Sequence, residues 1–177
     1  MVVSQKLKPY CEEARQQGAT DAVAISPSKV VTAAWVRLRC QFGCSEYGQC
    51  LTCPPYSPTP ETTRKVLDCY QAAILVHCKD PDTAREIGRA LESEIFLDGY
   101  YKAFAFLCGP CWMCKDCSLG KLKRGKAAAC RHPDLARPSM EAAGIDVFAT
   151  ARAAGMPIEV VRTTKCDQNY YSLVLVE

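Results

Sequence analysis

Residues 72–107 read AAILVHC, KDPDTAREIGRALESEIFLDG and YYKAFAFL in succession. The first seven residues are a short apolar run that predicts a buried strand. Asp80 followed by Pro81 predicts the start of a helix, which Gly99 ends. Apolar residues recur through this helix at helical spacing, namely Ala84, Ile87, Leu91 and Ile95. Residues 100–107 then predict another strand, so the centre of the chain alternates strand, helix and strand.

Elements on both sides extend this alternation. Before it, we predict a helix over residues 9–17, a strand over 30–39 that leads into Cys40, and a helix over 59–70. After it, Ser139 can cap a one-turn helix ending at Gly144, and Asp146 a second helix ending at Gly155. Two closing strands are expected over residues 156–161 and 170–176.

The fold class that follows is α/β (mixed α+β), with helices packed on a central mixed sheet. A length of 177 residues predicts a single metal-binding domain, residues 1–177. Within it, two cysteine-rich metal-binding loops are expected at residues 40–58 and 108–133.

Composition excludes several classes of protein. A net charge of +3 is too small to favour a nucleic-acid binder. There is no apolar run of signal-peptide length or of membrane-spanning length, which predicts a cytoplasmic protein with no membrane partner. In that compartment thiols stay reduced, and 13 cysteines is an odd number, so a disulfide framework is not expected.

The first cysteine cluster reads Cys40-x3-Cys44-x5-Cys50-x2-Cys53-Pro-Pro. Four thiolates within so short a segment are enough for a tetrathiolate site, which zinc fills as readily as an iron–sulfur cluster. Proline after Cys53 suits a cluster ligand, because it fixes the backbone and removes a donor that would need a partner.

The second cluster reads Cys108-x2-Cys111-x2-Cys114-x2-Cys117, followed by Cys130-Arg-His-Pro. A C-x2-C-x2-C triad with a remote fourth cysteine near a proline is a common iron–sulfur signature. The favoured ligands are the triad Cys111, Cys114 and Cys117 with Cys130. Cys108 begins an equally valid triad by spacing, so it could ligate here, ligate the other cluster, or simply pack.

These motifs, with Tyr47-Gly48, Tyr56-Ser-Pro58 and residues 138–146, resemble a bacterial and archaeal family of predicted metal-binding proteins, a domain of unknown function. The resemblance covers the chain from about Val30 onward. It implies metal binding of the iron–sulfur kind in mostly anaerobic prokaryotes. By this resemblance the first site uses Cys40, Cys44 and Cys53, and the second uses Cys111, Cys114, Cys117 and Cys130. Cys50 and Cys108 have no counterpart in the family pattern.

The function expected from the sequence is electron transfer to a partner enzyme by one or two [4Fe-4S] clusters. The basic residues between Lys121 and Lys126 would attract an acidic redox partner protein. One alternative is a redox enzyme whose cluster at Cys40, Cys44 and Cys53 leaves an iron open for substrate. Another is a zinc-binding structural or interaction module. No catalytic residue is identified.

Four other cysteines and both histidines carry weaker signals. Cys11 is read as incidental, and Cys69 and Cys78 are expected in the core, because both follow apolar neighbours at the spacing of their elements. Cys166 is a loop residue. His132, close to Cys130, could hydrogen-bond a ligand sulfur, and His77 is expected to be structural.

Overall fold

A four-stranded antiparallel sheet lies at the centre of the computed structural model, which describes residues 5–121, 129–163 and 165–177. The strands are β1 (Asp21–Ile25), β2 (Ala73–Cys78), β3 (Phe104–Phe106) and β4 (Tyr170–Leu175), in the spatial order β1-β2-β4-β3. The last strand of the chain therefore lies between β2 and β3. In the antiparallel register, Leu75 of β2 lies opposite Val23 of β1 and opposite Leu173 of β4.

Five α-helices surround the sheet within the described ranges. They are α1 (Lys8–Gln16), α2 (Ala34–Gly43), α3 (Pro60–Leu67), α4 (Pro81–Leu97) and α5 (Val147–Ala153). Short 3-10 helices span Pro27–Lys29 and Ser118–Lys121. No helix in this part of the chain combines the length and the apolar character needed to cross a membrane. The predicted mixed α+β class is confirmed.

Side-chain caps explain why three of the helices begin where the sequence predicts. The side chains of Thr59, Asp80 and Asp146 each accept a hydrogen bond from a backbone N–H three residues further on. A cap of this kind is worth about 1 kcal/mol, because it satisfies a donor that the first helical turn leaves without a partner. Pro60 and Pro81 add a backbone already fixed for the first turn.

The apolar core lies on both faces of the sheet. Ile74, Val76 and Val174 pack on one face with residues of α1 and α4. Leu75 and Leu173 pack on the other face, in a group that also holds residues from 140–158. Every residue of β2 is buried, which is why this strand is a continuous apolar run in the sequence rather than an alternating one.

The predicted strand over residues 30–39 is wrong, because this segment enters helix α2. Among the described residues, the strand-like pairing of this segment is limited to the isolated bridge between Thr32 and Ile145, which lies outside the sheet. The helix buries Val36 and leaves Trp35 and Leu38 on its exposed side.

The other differences between prediction and structure are smaller. β1 was not predicted, residues 156–161 form no strand, and the sheet is antiparallel rather than mixed.

His77 supplies a pH-dependent contribution to stability. It is 1% exposed, stacks on Tyr171 with ring centroids 4.9 Å apart, and pairs through Nε2 with Asn169 Oδ1 at 2.8 Å. Burial lowers the pKa of its imidazole below the ordinary value, and Nδ1 has no hydrogen-bond partner among the described residues. The folded protein therefore holds this ring neutral.

The unfolded chain takes up a proton at about pH 6.5, where the folded protein does not. The contribution of His77 to the free energy of unfolding is therefore fully present above that pH. It falls as the pH drops toward the lowered pKa of the folded state, by at most about 1.4 kcal/mol per pH unit. Urea denaturation at pH 7.5 and pH 5.5 measures this. In His77→Phe, which keeps a ring against Tyr171, this part of the pH dependence should vanish; an unchanged dependence contradicts the assignment.

Candidate functional site

Five cysteine side chains surround one narrow cavity beside the end of β3. They come from both cysteine loops, because one member belongs to the first loop and the rest to the second. The five are Cys50, Cys111, Cys114, Cys117 and Cys130. We call them the second thiol group.

The second cysteine loop is held at both ends by the sheet. Leu107, just after β3, accepts a hydrogen bond from the Met140 N–H, and its own N–H donates to the Pro138 carbonyl, both at 2.9 Å. This pairing fixes the start and the end of the loop at one point. Residues 122–126 of the basic segment lie outside the described residues.

A stacked pair packs the loop against helix α4. The Arg85 guanidinium lies over the Trp112 ring, 3.6 Å from its centroid. Arg85 also forms an ion pair with Asp82, and Arg89 Nη1 lies 3.5 Å from the Met113 sulfur. Trp112, 44% exposed, thus holds the part of the loop between Cys111 and Cys114 on α4, with the positive charge of Arg85 beside it.

A second cavity, of ≈ 330 Å³, is lined by Cys40, Cys44 and Cys53. We call these three cysteines the first thiol group. Cys40 lies in the last turn of α2 and Cys44 directly follows this helix, so their spacing of four places both on one side. Aromatic side chains form part of the wall, namely Trp35, Tyr47 and Phe148. Their contribution has no motif in the sequence, because they come from separate segments.

The turn from Cys50 to Cys53 joins the two thiol groups. The Cys53 N–H donates to the Cys50 carbonyl at 3.0 Å, and the two sulfurs lie 3.3 Å apart and share a hydrogen bond. Yet Cys53 lines the larger cavity and Cys50 the smaller one. The structure therefore places three cysteines of the first loop together and gives the fourth to the other group.

The shared hydrogen bond also separates the acidities of these two thiols. It lowers the pKa of Cys50 and raises that of Cys53, because one proton held between two sulfurs stabilises a single thiolate. Thiolates are the form of cysteine that binds metal. Burial raises the pKa of Cys40 and of Cys111, so these two thiols ionise less readily than an exposed cysteine.

Cys108 lies apart from both groups. It is 5% exposed, belongs to the apolar core, and donates from Sγ to the Pro81 carbonyl at 3.3 Å. Burial raises the pKa of its thiol to about 12. Of the three roles that the spacing leaves open for Cys108, the structure favours packing.

The remaining cysteines line neither cavity. Cys11 and Cys78 are buried in the core, Cys166 is half-buried, and Cys69 is exposed, contrary to the prediction that it packs inside. Near the second group, the backbone N–H of His132 donates to Cys130 Sγ at 3.4 Å, so the backbone rather than the ring makes the contact expected there.

Thiol donors of this kind fit a metal centre, since soft thiolates hold zinc, copper(I) and iron–sulfur clusters. Within the described ranges, no three Cys, His, Asp or Glu side chains are close enough to hold a single metal ion. The cysteines surround cavities rather than one point. The space inside the second group is ≈ 20 Å³, about that of one water, so a cluster requires the loops to separate.

The comparison with protein families agrees with this donor chemistry. The model of the family described as "Predicted metal-binding protein (DUF2284)" matches residues 23–176, nearly the whole chain. No curated protein and no solved structure is detectably similar to the chain.

Arg37 is the side chain that fastens α2, and with it Cys40, to the rest of the first cavity. Its Nη1 donates to Ser57 Oγ at 2.9 Å, to the Pro58 carbonyl at 3.0 Å and to the Ala142 carbonyl at 2.7 Å. The sequence gives no signal for this role, because the acceptors are distant along the chain and two of them are carbonyls.

We expect Arg37→Ala to lower the free energy of unfolding by about 1–3 kcal/mol, because it removes a charged donor from the Ala142 carbonyl and leaves the Pro58 carbonyl without its partner. Chemical denaturation measures the loss. Arg39→Ala, two residues further along the same helix and exposed, is the matched control and should change stability by less than about 0.5 kcal/mol. Equal losses in both variants would contradict the anchoring role.

Proposed function

The chain belongs to this family of predicted metal-binding proteins, and we propose that it is an iron–sulfur protein that transfers electrons to a partner enzyme. The observation that carries the proposal is the second thiol group, in which five cysteines surround one cavity. Four thiolates are what a [4Fe-4S] cluster needs, and soft sulfur ligands are what its irons prefer.

The spacing of the ligands favours a cluster over zinc at this group. Cys111, Cys114 and Cys117 follow one another at two-residue gaps, whereas zinc sites usually separate two cysteine pairs by a longer spacer. Cys130 and Cys50 then approach from outside the tight loop. A bound cluster supplies reversible one-electron chemistry, and this chain's residues set its surroundings.

Two features of the chain would tune such a centre. The His132 N–H on Cys130 Sγ stabilises negative charge on that sulfur. Arg131 lines the cavity, and Arg85 lies over Trp112 at the loop surface. Positive charge at these positions favours the reduced state and attracts an acidic partner protein, which is the class of partner that we propose.

Metal content tests the proposal. In protein purified without oxygen, we expect about eight irons and eight sulfides per chain if both groups are filled, and an absorption band at about 400 nm that dithionite bleaches. Zinc without iron would overturn the proposal and leave a structural or interaction role.

Two matched substitutions locate the iron. Cys114→Ala should remove about four irons per chain, because it breaks the triad that wraps one side of the cluster, and Cys50, hydrogen-bonded to Cys53, does not take the place of Cys114 in that loop. Cys108→Ala is its control and should leave iron content unchanged, since Cys108 packs in the core. Iron loss in the control, or full iron in Cys114→Ala, contradicts the ligand assignment.

A second candidate function is favoured by the first thiol group. Three cysteines and a cavity of ≈ 330 Å³ with aromatic walls leave room for a substrate at a cluster that lacks a fourth thiolate. Clefts of this size with apolar walls and a few polar groups are typical ligand sites. The chain would then be a redox enzyme that receives electrons through the second group.

An exogenous ligand distinguishes the two candidates. Cyanide added to the reduced protein should change the electron paramagnetic resonance spectrum if one iron at the first group is open, because the added ligand binds that iron. Cys40→Ala, which removes the first site, should abolish the change, whereas Cys114→Ala should not. A spectrum that cyanide leaves unchanged would favour simple electron transfer.

A further inference from the structure

The Cys50–Cys53 pair is set apart from the other cysteines by its position. Its two sulfurs lie 3.3 Å apart, and the side chains are 5% and 7% exposed. Cys53 lines the cavity of the first thiol group, and Cys50 lines the cavity of the second. Any bond between these sulfurs therefore takes a donor from each group at once.

We propose that Cys50 and Cys53 are a redox modification site, at which a reversible disulfide governs metal loading of the first thiol group. This inference rests on the proposed function, because it takes both groups to bind metal. The disulfide leaves the first group with Cys40 and Cys44 alone. The second group keeps four thiols, namely Cys111, Cys114, Cys117 and Cys130.

The geometry brings the pair close to bonding distance. A disulfide bond is about 2.05 Å long, so the sulfurs must approach by about 1.2 Å from their 3.3 Å separation. The two residues are joined by a single turn, closed by the Cys53 N–H on the Cys50 carbonyl. Small side-chain rotations thus suffice, and α2 and the sheet need not move.

The oxidant that forms the Cys50–Cys53 bond is a small-molecule disulfide, which accepts the electrons and protons that the two cysteines lose. One cysteine sulfur displaces a thiolate from that molecule and forms a mixed disulfide. The second cysteine sulfur attacks the first, forms the Cys50–Cys53 bond and releases the other thiolate. The two cysteines lose two electrons and two protons, and the oxidant becomes two thiols. The oxidant reaches the pair through the larger cavity, which Cys53 lines.

The disulfide should prevent metal binding at the first thiol group and leave metal binding at the second intact. Two thiols cannot hold a cluster that needs three or four, whereas four thiols can. Oxidation before loading should therefore remove metal binding at the first group only. A general oxidation of all cysteines would instead abolish binding at both.

Differential alkylation tests the bond itself, with no metal required. The full chain, stripped of metal by a chelator and reduced, is treated with oxidised glutathione and alkylated with one reagent. It is then reduced and alkylated with a second reagent. Trypsin releases residues 40–64 as one peptide with all four cysteines of the first loop, so fragmentation must assign each label. We expect the second label on Cys50 and Cys53 and the first on Cys40 and Cys44.

Matched variants provide the controls. In Cys50→Ser no internal bond can form, so before the second reduction Cys53 should be either alkylated by the first reagent or held as a mixed disulfide with glutathione, which adds the mass of one glutathione. In Cys108→Ser, the Cys50–Cys53 bond should form as in the unaltered chain. The inference is overturned if Cys50 and Cys53 carry the first label after oxidation, or if another pair forms in their place.

Reconstitution with ferrous iron and sulfide then tests the consequence. The oxidised chain should take up about half the iron of the reduced chain, and dithiothreitol should restore the full amount. Equal uptake before and after oxidation would overturn the inference. Failure of the reduced chain to take up iron overturns the proposed function instead, so the two failures are distinguishable.

Discussion

The pairing of Leu107 with residues 138–140 is the constraint on which the cysteine sites depend. Both backbone hydrogen bonds at Leu107 are made with this segment, at 2.9 Å each. Leu107 is itself tied to the sheet, because β3 pairs with the central strand β4 just before it. The two ends of the second cysteine loop are thereby brought together beside the buried strand β4. The entropy of ordering the loop is reduced, since its ends are already together.

Residues 139–145 also contact the segments that surround the first thiol group. The Ala142 carbonyl accepts from Arg37 and from Ser57, and the Ala143 carbonyl accepts from Thr63. Gly144 lets α3 approach, because its φ is +77° and a Cβ there would lie 2.4 Å from Pro60 Cγ. One turn thus contacts the segments on both sides of the first cysteine loop and, through Leu107, the start of the second.

Local signals account for what the sequence predicts well. Asp80 and Pro81 determine the start of α4 through contacts within a few residues, and the short, β-branched apolar run of β2 favours a buried strand. Residues 30–39 mislead because Val, Trp and Leu suit a strand or a helix, and the tertiary packing that buries Val36 on one side of a helix has no signal in the sequence. The sequence also does not predict that Cys50 belongs to the second thiol group. Sequence spacing associates it with Cys53, whereas the turn between them directs the two side chains into different cavities.

The first thiol group has three cysteines and the second has five, so under the proposed function the two groups can hold a cluster in different ways. The second group has enough sulfur to enclose a cluster fully, and it lies beside Arg131 and Arg85, where an acidic partner can approach. The first group has one thiolate fewer than a closed site needs, and it faces the cavity with room for a ligand. Because Cys50 and Cys53 bring ligand sulfurs of the two groups within 3.3 Å, electrons that enter at the second group have a short path to the first. Under the second candidate function, the open cavity is then where a substrate takes up these electrons.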